Sequence, residues 1–187
     1  MEELQDYSGE FKPDLKLQDF SKDALVRLLK ASAKLYVGIG GLYHRAIRER
    51  YGMDVALEFE RKIWRRNEVL EVQRVNEAMN TEGNDVAALF KFCQLDPGIG
   101  GIMEIEYDLK NNNHGIMTVK YCQSLAYFER HGETDLQKFV CEVLDKEGFA
   151  EIARECFNPK MKARPLKLPP RKSKDEVACQ WEFKIEE

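Results

Sequence analysis

The sequence predicts an α+β fold in which two long N-terminal helices and further helices pack on a small antiparallel sheet. Two periods in the sequence support this prediction. Apolar residues recur every three or four positions through the first half of the chain, as in amphipathic helices. Near residues 102–122, and again over 177–185, apolar and polar residues alternate, as in half-buried strands. Because no strand–helix–strand alternation occurs, we expect an antiparallel rather than a parallel sheet.

Two long helices account for the first half of the chain. Ser21 is a suitable N-cap for the first helix, whose apolar spacing extends to Tyr51, just before Gly52. Asp54 can cap the second helix, which is expected to end at about Met79.

A shorter helix, the hairpin and further helices follow. Asp85 is the expected cap of the shorter helix, which a turn at Asp96 ends. The hairpin near 102–122 contains an asparagine-rich turn. Helical spacing then returns, with a break at Gly132 and a last helix over about 149–157.

The chain is expected to form one domain with an arm. Residues 1–18 are polar and aperiodic and predict a flexible N-terminal arm, and 19–187 predict a single α+β domain. The longest uncharged apolar stretch, 35–43, is too short to span a membrane, and the acidic N-terminus has no signal-peptide pattern. Five cysteines without an export signal predict free thiols in the reducing cytoplasm.

The charge distribution argues against nucleic acid as a partner. The segment 160–174 holds seven basic and no acidic residues, and it could contact an anion or simply form a solvated edge strand. The rest of the chain has 22 basic and 33 acidic residues, a net charge of −11. No aromatic residues interleave the basic ones, as a stacking platform for bases would require.

Cysteines supply a candidate metal site. Asp145 lies one helical turn after Cys141, and Cys122 ends the predicted hairpin. A thiolate and a carboxylate on one helix face, with a third ligand from Cys122 or Cys156, can hold Zn²⁺. The alternatives are that these cysteines pack as small hydrophobes or that Cys122 or Cys141 is a reactive thiol.

The first two helices also predict a pocket. Gly38 and Gly41 are costly in a helix interior, so either a close helix contact or an opening for a ligand must offset them. His44 lies on the same face, and Asn67 and Arg74 interrupt the apolar stripe of the second helix. An inward polar side chain needs a hydrogen-bonding partner, which a polar ligand or water can provide.

If the ligand of this pocket is an anion, basic side chains from the C-terminal part of the chain would be needed to bind it. Arg171 and Lys172, in the basic segment, are the candidates to close over such a group. If the site is instead catalytic, Cys141 is the candidate nucleophile, with Asp145 or His44 as base.

Six short segments resemble a known family: Tyr121-Cys122, Tyr127-Phe128-Glu129, Cys141-x-x-Leu144-Asp145, Phe157-Asn158-Pro159-Lys160, Pro169-Pro170-Arg171-Lys172-Ser173 and Cys179-Gln180-Trp181-Glu182-Phe183. Over residues 18–187 the chain is similar to an uncharacterised family of anaerobic bacterial and archaeal proteins labelled only as cytosolic. It more distantly resembles the L-2-amino-thiazoline-4-carboxylate hydrolase-like family and the 4-vinyl-reductase domains. These resemblances imply helices packed on an antiparallel sheet around a small-molecule pocket.

The vinyl-reductase resemblance also implies a metal. Some aromatic-sensing members of that group bind zinc through a cysteine after the first hairpin, a glutamate and two further cysteines. Cys122 and Cys141 match two of these positions, with Lys138 where the glutamate is expected. Cys156 and Asp145 are the remaining candidates.

Three hypotheses about function follow. The first is a cytosolic small-molecule-binding domain with a cysteine-centred site that can take a metal such as zinc. The second is a small hydrolase acting on a cyclic amidine or thiazoline. The third is an interaction module that forms a homodimer through the two long N-terminal helices.

Overall fold

The computed structural model describes residues 3–186 and confirms the α+β architecture. Met1 and Glu2 of the predicted arm, and Glu187, lie outside the described residues. The elements in chain order are α1 (Lys22–Tyr51), α2 (Met53–Met79), α3 (Val86–Leu95), β1 (Met103–Asn111), β2 (His114–Cys122), α4 (Gln123–His131), α5 (Thr134–Lys138), α6 (Asp145–Glu151), β3 (Met161–Lys167) and β4 (Cys179–Ile185).

The two long helices form a helical hairpin. The hydroxyl of Ser21 accepts a hydrogen bond from the Ala24 amide at 3.2 Å, which confirms the predicted N-cap. A single residue, Gly52, joins α1 to α2 with a φ of +89°, a conformation that glycine adopts without the steric cost of a Cβ. The rings of Tyr36 and Trp64 pack edge-to-face between the helices, with centroids 5.8 Å apart.

The sheet is antiparallel throughout, in the order β1-β2-β4-β3. Its alternating residues separate two faces, as the period of two predicts. Trp181 and Phe183 of β4 are fully buried and pack against Phe149 of α6, and Phe90 of α3 also contacts Phe183. The main core therefore lies between one face of the sheet and the layer formed by α3 and α6.

The helical region after the sheet hairpin differs from the prediction. Gly132 ends α4 with a φ of +66°, as expected for a break. From Thr134 to Phe157, however, the chain is continuously helical, with π-helical stretches at Phe139–Leu144 and Ile152–Phe157. The only glycine in this stretch, Gly148, is buried against α2 and does not interrupt the helix.

The first and last segments of the described chain are tied to the domain. In the described part of the predicted arm, the Leu4 amide donates to the Asp19 carbonyl at 2.9 Å, and the Ser21 amide donates to the Leu4 carbonyl at 2.9 Å. The basic segment contributes the edge strand β3 and a loop that leads into β4. The C-terminal strands predicted from the sequence are thus confirmed.

Candidate functional site

A cavity of about 380 Å³ lies between the helical hairpin and the rest of the domain. It is lined by α1, α2, the turn after α3, the beginning of β1, the end of β2 and the helices from α4 to α6. Most of the lining is apolar, and Trp64, Phe92, Phe128 and Phe149 supply aromatic surface. Concave sites of this size with a few convergent polar groups are typical of small-molecule binding.

One face of α2 carries acidic side chains into this cavity. Glu60, Trp64, Glu68 and Glu71 all line it, because spacings of four, four and three residues fall on one side of a helix. Burial raises the pKa of Glu68 to about 7, with Glu71 adding to the shift and the nearby Arg65 opposing it.

Asp96, the residue that follows α3, adds another carboxyl group to the cavity wall. Its Oδ1 accepts a hydrogen bond from the Ile99 amide at 2.8 Å, which fixes the turn that the sequence predicts. The residue is only 2% exposed, and its Oδ2 has no hydrogen-bond partner among residues 3–186. Burial and the neighbouring Glu71 raise the pKa of Asp96 to about 7.

His44 pairs with an acid of the facing helix. Its Nδ1 lies 2.7 Å from Oε2 of Glu60, and its side chain is 4% exposed. Its other ring nitrogen, Nε2, is buried and has no partner in the part of the chain that the structure describes. Burial raises the pKa of Glu60, while the charge and hydrogen bond of His44 oppose that shift.

A short polar network surrounds Glu71. The Tyr36 hydroxyl donates a hydrogen bond to Glu71 and accepts one from the Asn67 amide. Burial raises the pKa of Glu71, and these hydrogen bonds counteract the shift. Asn67, predicted to contact a ligand, does not itself line the cavity and instead supports Tyr36 and Glu71 from behind.

The structure brings Cys122, Cys141 and Asp145 to the same cavity. With Cys179 they also border a smaller void of about 20 Å³. Burial raises the pKa of Asp145 to about 7, and Glu68 and Glu60 add to the shift. Burial likewise raises the pKa of Cys122 to about 11 and that of Cys141 further, with Asp145 adding to both.

This environment does not suit a nucleophilic Cys141. A reactive cysteine needs a lowered pKa, since the thiolate is the nucleophile, and burial beside a carboxyl has the opposite effect. His44, the other predicted base, pairs with Glu60. The structure therefore favours thiol packing at Cys141 over nucleophilic catalysis.

The structure does not bring the four predicted metal ligands together. Cys156 packs against the main core and borders neither void. Across residues 3–186, no group of three or more histidine, cysteine, aspartate or glutamate side chains is placed to hold a metal ion. The arrangement thus gives no support to zinc bound by Cys122, Cys141, Asp145 and Cys156.

The basic residues predicted to contact a ligand lie away from the cavity. Arg171 donates two hydrogen bonds to Glu129 of α4, at 2.7 and 2.8 Å, and lowers the pKa of that carboxyl. Arg74 and Lys172 are exposed, and none of the three lines the cavity. Arg171 instead holds the loop before β4 against α4, because its guanidinium matches the Glu129 carboxylate in geometry and charge.

The glycines of α1 have different surroundings. Gly38 and Gly41 line the cavity, and a Cβ built on either would meet no atom within 4 Å. A Cβ on Gly40 would lie 3.2 Å from the ring of Trp64. Gly40 therefore allows close packing of the two helices, whereas Gly38 and Gly41 leave open space beside the cavity.

The pattern that defines the Family of unknown function (DUF6125) matches residues 18–185. The chain belongs to this family. No curated protein and no solved structure matches it. Within the described residues, no helix has the length and apolar character needed to cross a membrane.

Sequence reasoning missed the acidic lining of the cavity. Glu60, Glu68, Glu71 and Asp96 are absent from the predicted site residues, because a charged helix face is usually solvated. A signal was present, since the three glutamates share a helix face with Trp64. Asp96 resembles an ordinary turn residue in sequence, and its burial follows only from the fold.

Proposed function

We propose that this protein binds a small molecule in the cavity of about 380 Å³. The observation that carries the proposal is a pair of buried polar atoms on its wall, His44 Nε2 and Asp96 Oδ2, with no partner in the described chain. A buried polar group without a hydrogen bond costs about 1 to 3 kcal/mol. A ligand or ordered water that bonds to them removes this cost.

A substitution at Gly41 tests the proposal at one position. Gly41→Phe places a large ring in the open space beside the cavity, whereas Gly41→Ala adds a single methyl group. The readouts are native mass spectrometry of protein purified from its own host and fluorescence of the neutral dye Prodan.

We expect the wild type and Gly41→Ala to retain a small molecule or bind Prodan, and Gly41→Phe to do neither. Wild-type protein that carries no small molecule and binds no dye would contradict the proposal. Equal binding by all three proteins would contradict the assignment to this cavity.

The cysteine-centred form of the site and its cytoplasmic location are part of the proposal. Cys122 and Cys141 border the cavity, so a bound molecule would contact them even without a metal. All five cysteines are free, which suits a reducing compartment. Metal analysis of anaerobically purified protein tests the zinc hypothesis directly.

Hydrolysis of a cyclic amidine or thiazoline is a second candidate, in line with the distant resemblance to the thiazoline hydrolase-like family. The supporting observation is that Asp96 and Asp145 line the cavity with pKa values raised to about 7. Such carboxyls can act as general acid or base near neutral pH. In this candidate a carboxyl activates water and Cys141 has no role as nucleophile.

A homodimer is compatible with either function, and the outer face of α1 supports it. Apolar residues occupy six of seven successive heptad positions there: Leu25, Ile39 and Ala46 at a, and Leu28, Leu35 and Leu42 at d. Ser32, small and polar, occupies the remaining a position.

The exposure of this seam points to a partner. Leu35 is 74% exposed and Leu42 63% exposed, although both are large and apolar. Apolar residues that repeat at a and d let the same faces of two helices pack against each other as knobs into holes. The proposed partner is therefore a second copy of this chain.

A further inference from the structure

We infer that the ligand is an organic cation: a molecule with a protonated amino group on an apolar body, held with its charge against Asp96 and Glu71. This inference rests on the proposed function and goes beyond it by naming the chemical class of the ligand. Three features of the cavity support it: the number of acids, the state of the basic residues, and the rest of the lining.

Besides Glu133, which pairs with Arg48, five acidic residues line the cavity: Glu60, Glu68, Glu71, Asp96 and Asp145. Their charges interact. Glu71 raises the pKa of both Asp96 and Glu68, and Glu68 and Glu60 raise the pKa of Asp145. Of the five, Glu60 has a basic partner, His44, at 2.7 Å.

The basic residues on the wall are already engaged. Those in the described part of the lining are His44, Arg45 and Arg48. Arg48 forms an ion pair with Glu133 at 2.9 Å, and Arg45 donates to the Tyr127 hydroxyl at 2.8 Å. Because His44 pairs with Glu60 and Arg48 with Glu133, Arg45 is the one cation of the described lining left to balance Glu68, Glu71, Asp96 and Asp145.

Asp96 gives this acidic group a free acceptor. Its Oδ2 is buried on the cavity wall and has no partner in residues 3–186, while Oδ1 is used by the Ile99 amide. An ammonium group supplies up to three donors and a positive charge, which suit a free carboxylate oxygen beside a second carboxyl. An anionic ligand would meet like charge from each of these acids that is ionised.

The remaining surface suits the apolar part of such a molecule. Trp64 and Phe92 line the cavity together with the acids of α2 and the α3 turn. Aromatic faces attract a desolvated cation as well as apolar groups. A protonated amine with an alkyl or aryl body therefore matches both the charge and the apolar area of the site.

Binding of a cation is linked to protons. Burial raises the pKa of Asp96, Glu68 and Asp145 to about 7, so protons occupy part of the site at neutral pH when no cation is bound. A cationic ligand favours the ionised carboxylates and must displace these protons. Amine affinity should therefore rise as the pH increases from about 6 to about 8.

Isothermal titration calorimetry with four probes of equal chain length tests the inference. The probes are 1-aminooctane, 1,8-diaminooctane, 1,8-octanediol and octanedioate, used below the concentration at which 1-aminooctane forms micelles. We expect the two amines to bind with release of protons, and the neutral diol and the dianion to bind at least about tenfold more weakly.

Variants locate the binding. Asp96→Asn and Glu71→Gln each remove one negative charge and should weaken amine binding by about 10- to 100-fold, the range for a charge-assisted hydrogen bond. Glu58→Gln is the matched control, since Glu58 is an exposed acid of α2 outside the cavity lining. Circular dichroism confirms that each variant is folded.

The outcomes separate this inference from the proposed function. Prodan binding that is lost in Gly41→Phe, together with diol or dianion affinities equal to those of the amines, would overturn the cation and leave the cavity as a binding site. Amine affinities that Asp96→Asn and Glu71→Gln leave unchanged would also overturn it. If neither Prodan nor any of the four probes binds, the proposed function fails as well.

Discussion

Single carboxyl groups on the cavity wall make the stability of the protein depend on pH. Asp145 has a pKa raised to about 7, from an ordinary value near 3.8. Between about pH 4 and pH 7, therefore, the folded state keeps a proton on Asp145 that the unfolded state has already released. The same sign applies to Asp96 and Glu68, whose pKa values are also raised to about 7. Their contribution to stability is fully present below about pH 4 and is lost as the pH rises towards 7.

We predict that the ligand-free protein unfolds more readily at pH 8 than at pH 5. Asp145→Asn should reduce this difference by about 1 kcal/mol or more, because one pKa unit corresponds to about 1.4 kcal/mol. Urea denaturation at both pH values measures it. Asp14→Asn, at an exposed position, is the control, and an equal effect of the two variants would contradict the prediction.

Two glycines should respond oppositely to one added methyl group. On Gly101 a Cβ would lie 2.6 Å from the Pro97 carbonyl oxygen and 2.6 Å from the Cβ of Ala33, whereas on Gly41 it would meet no atom within 4 Å. We expect Gly101→Ala to destabilise by about 1 to 3 kcal/mol through overpacking, because the backbone of Pro97 cannot rotate away as a long side chain can. Gly41→Ala should stabilise by up to about 1 kcal/mol through helix propensity. Denaturation curves that show the same sign for both would refute this.

The cost of a substitution in a strand depends on whether the side chain lies in the core between the sheet and the helices. Trp181 of β4 has no exposed surface and packs against Phe149, with ring centroids 4.8 Å apart. Trp181→Ala should therefore cost about 3 to 5 kcal/mol in unfolding free energy. Gln180, the preceding residue, is half-buried and bonds to Thr118, so Gln180→Ala should cost much less. Comparable losses of unfolding free energy for the two variants would contradict the placement of Trp181 in the main core.

The sequence predicted elements better than it predicted the site. The change from helical to alternating period located β1, β2 and β4, because burial on one face of a sheet leaves a direct mark on residue order. The π-helical stretches in 134–157 leave no such mark, and the last helix, predicted over about 149–157, is continuous with the helical residues before it. His44 and Cys122 stand beside unusual features of the sequence, the glycines of α1 and the end of the hairpin, and both line the cavity.

Contacts between residues distant in the chain account for most of the differences at the site. The partner of Arg171, Glu129, lies on another element and could not be identified without the fold. Similarly, Glu68 and Glu71 face inward because α1 and the helix 145–151 enclose α2. Sequence spacing defines a face of a helix, but tertiary packing decides whether that face meets solvent or a cavity.

The molecule as a whole presents the outer face of α1 to solvent, and we predict that this face joins two copies. Leu35→Lys introduces a charge at a central d position and should convert a dimer to a monomer, because the buried charge has no partner. Val26→Lys is the control, since Val26 is 48% exposed but lies off the heptad seam. Sedimentation equilibrium gives the mass of each protein. A monomeric wild type would contradict the prediction.

Dimer formation and ligand binding meet at one edge of the molecule. Gly38 and Leu42 of α1 are exposed and also line the cavity, so the cavity opens beside the heptad seam. A second copy on this seam would lie across that opening. Ligand exchange should then be slower in the dimer than in Leu35→Lys, which stopped-flow fluorescence with Prodan can measure. Equal exchange rates would show that the partner leaves the opening free.

A crystal structure of the protein purified without unfolding or dialysis examines the cavity most directly. We predict electron density for a molecule other than water, with a nitrogen within hydrogen-bond distance of Asp96 Oδ2 and with apolar atoms against Trp64. A cavity that holds only water, or that a rotated side chain fills so that His44 Nε2 and Asp96 Oδ2 bond to protein atoms, would contradict the proposed binding site.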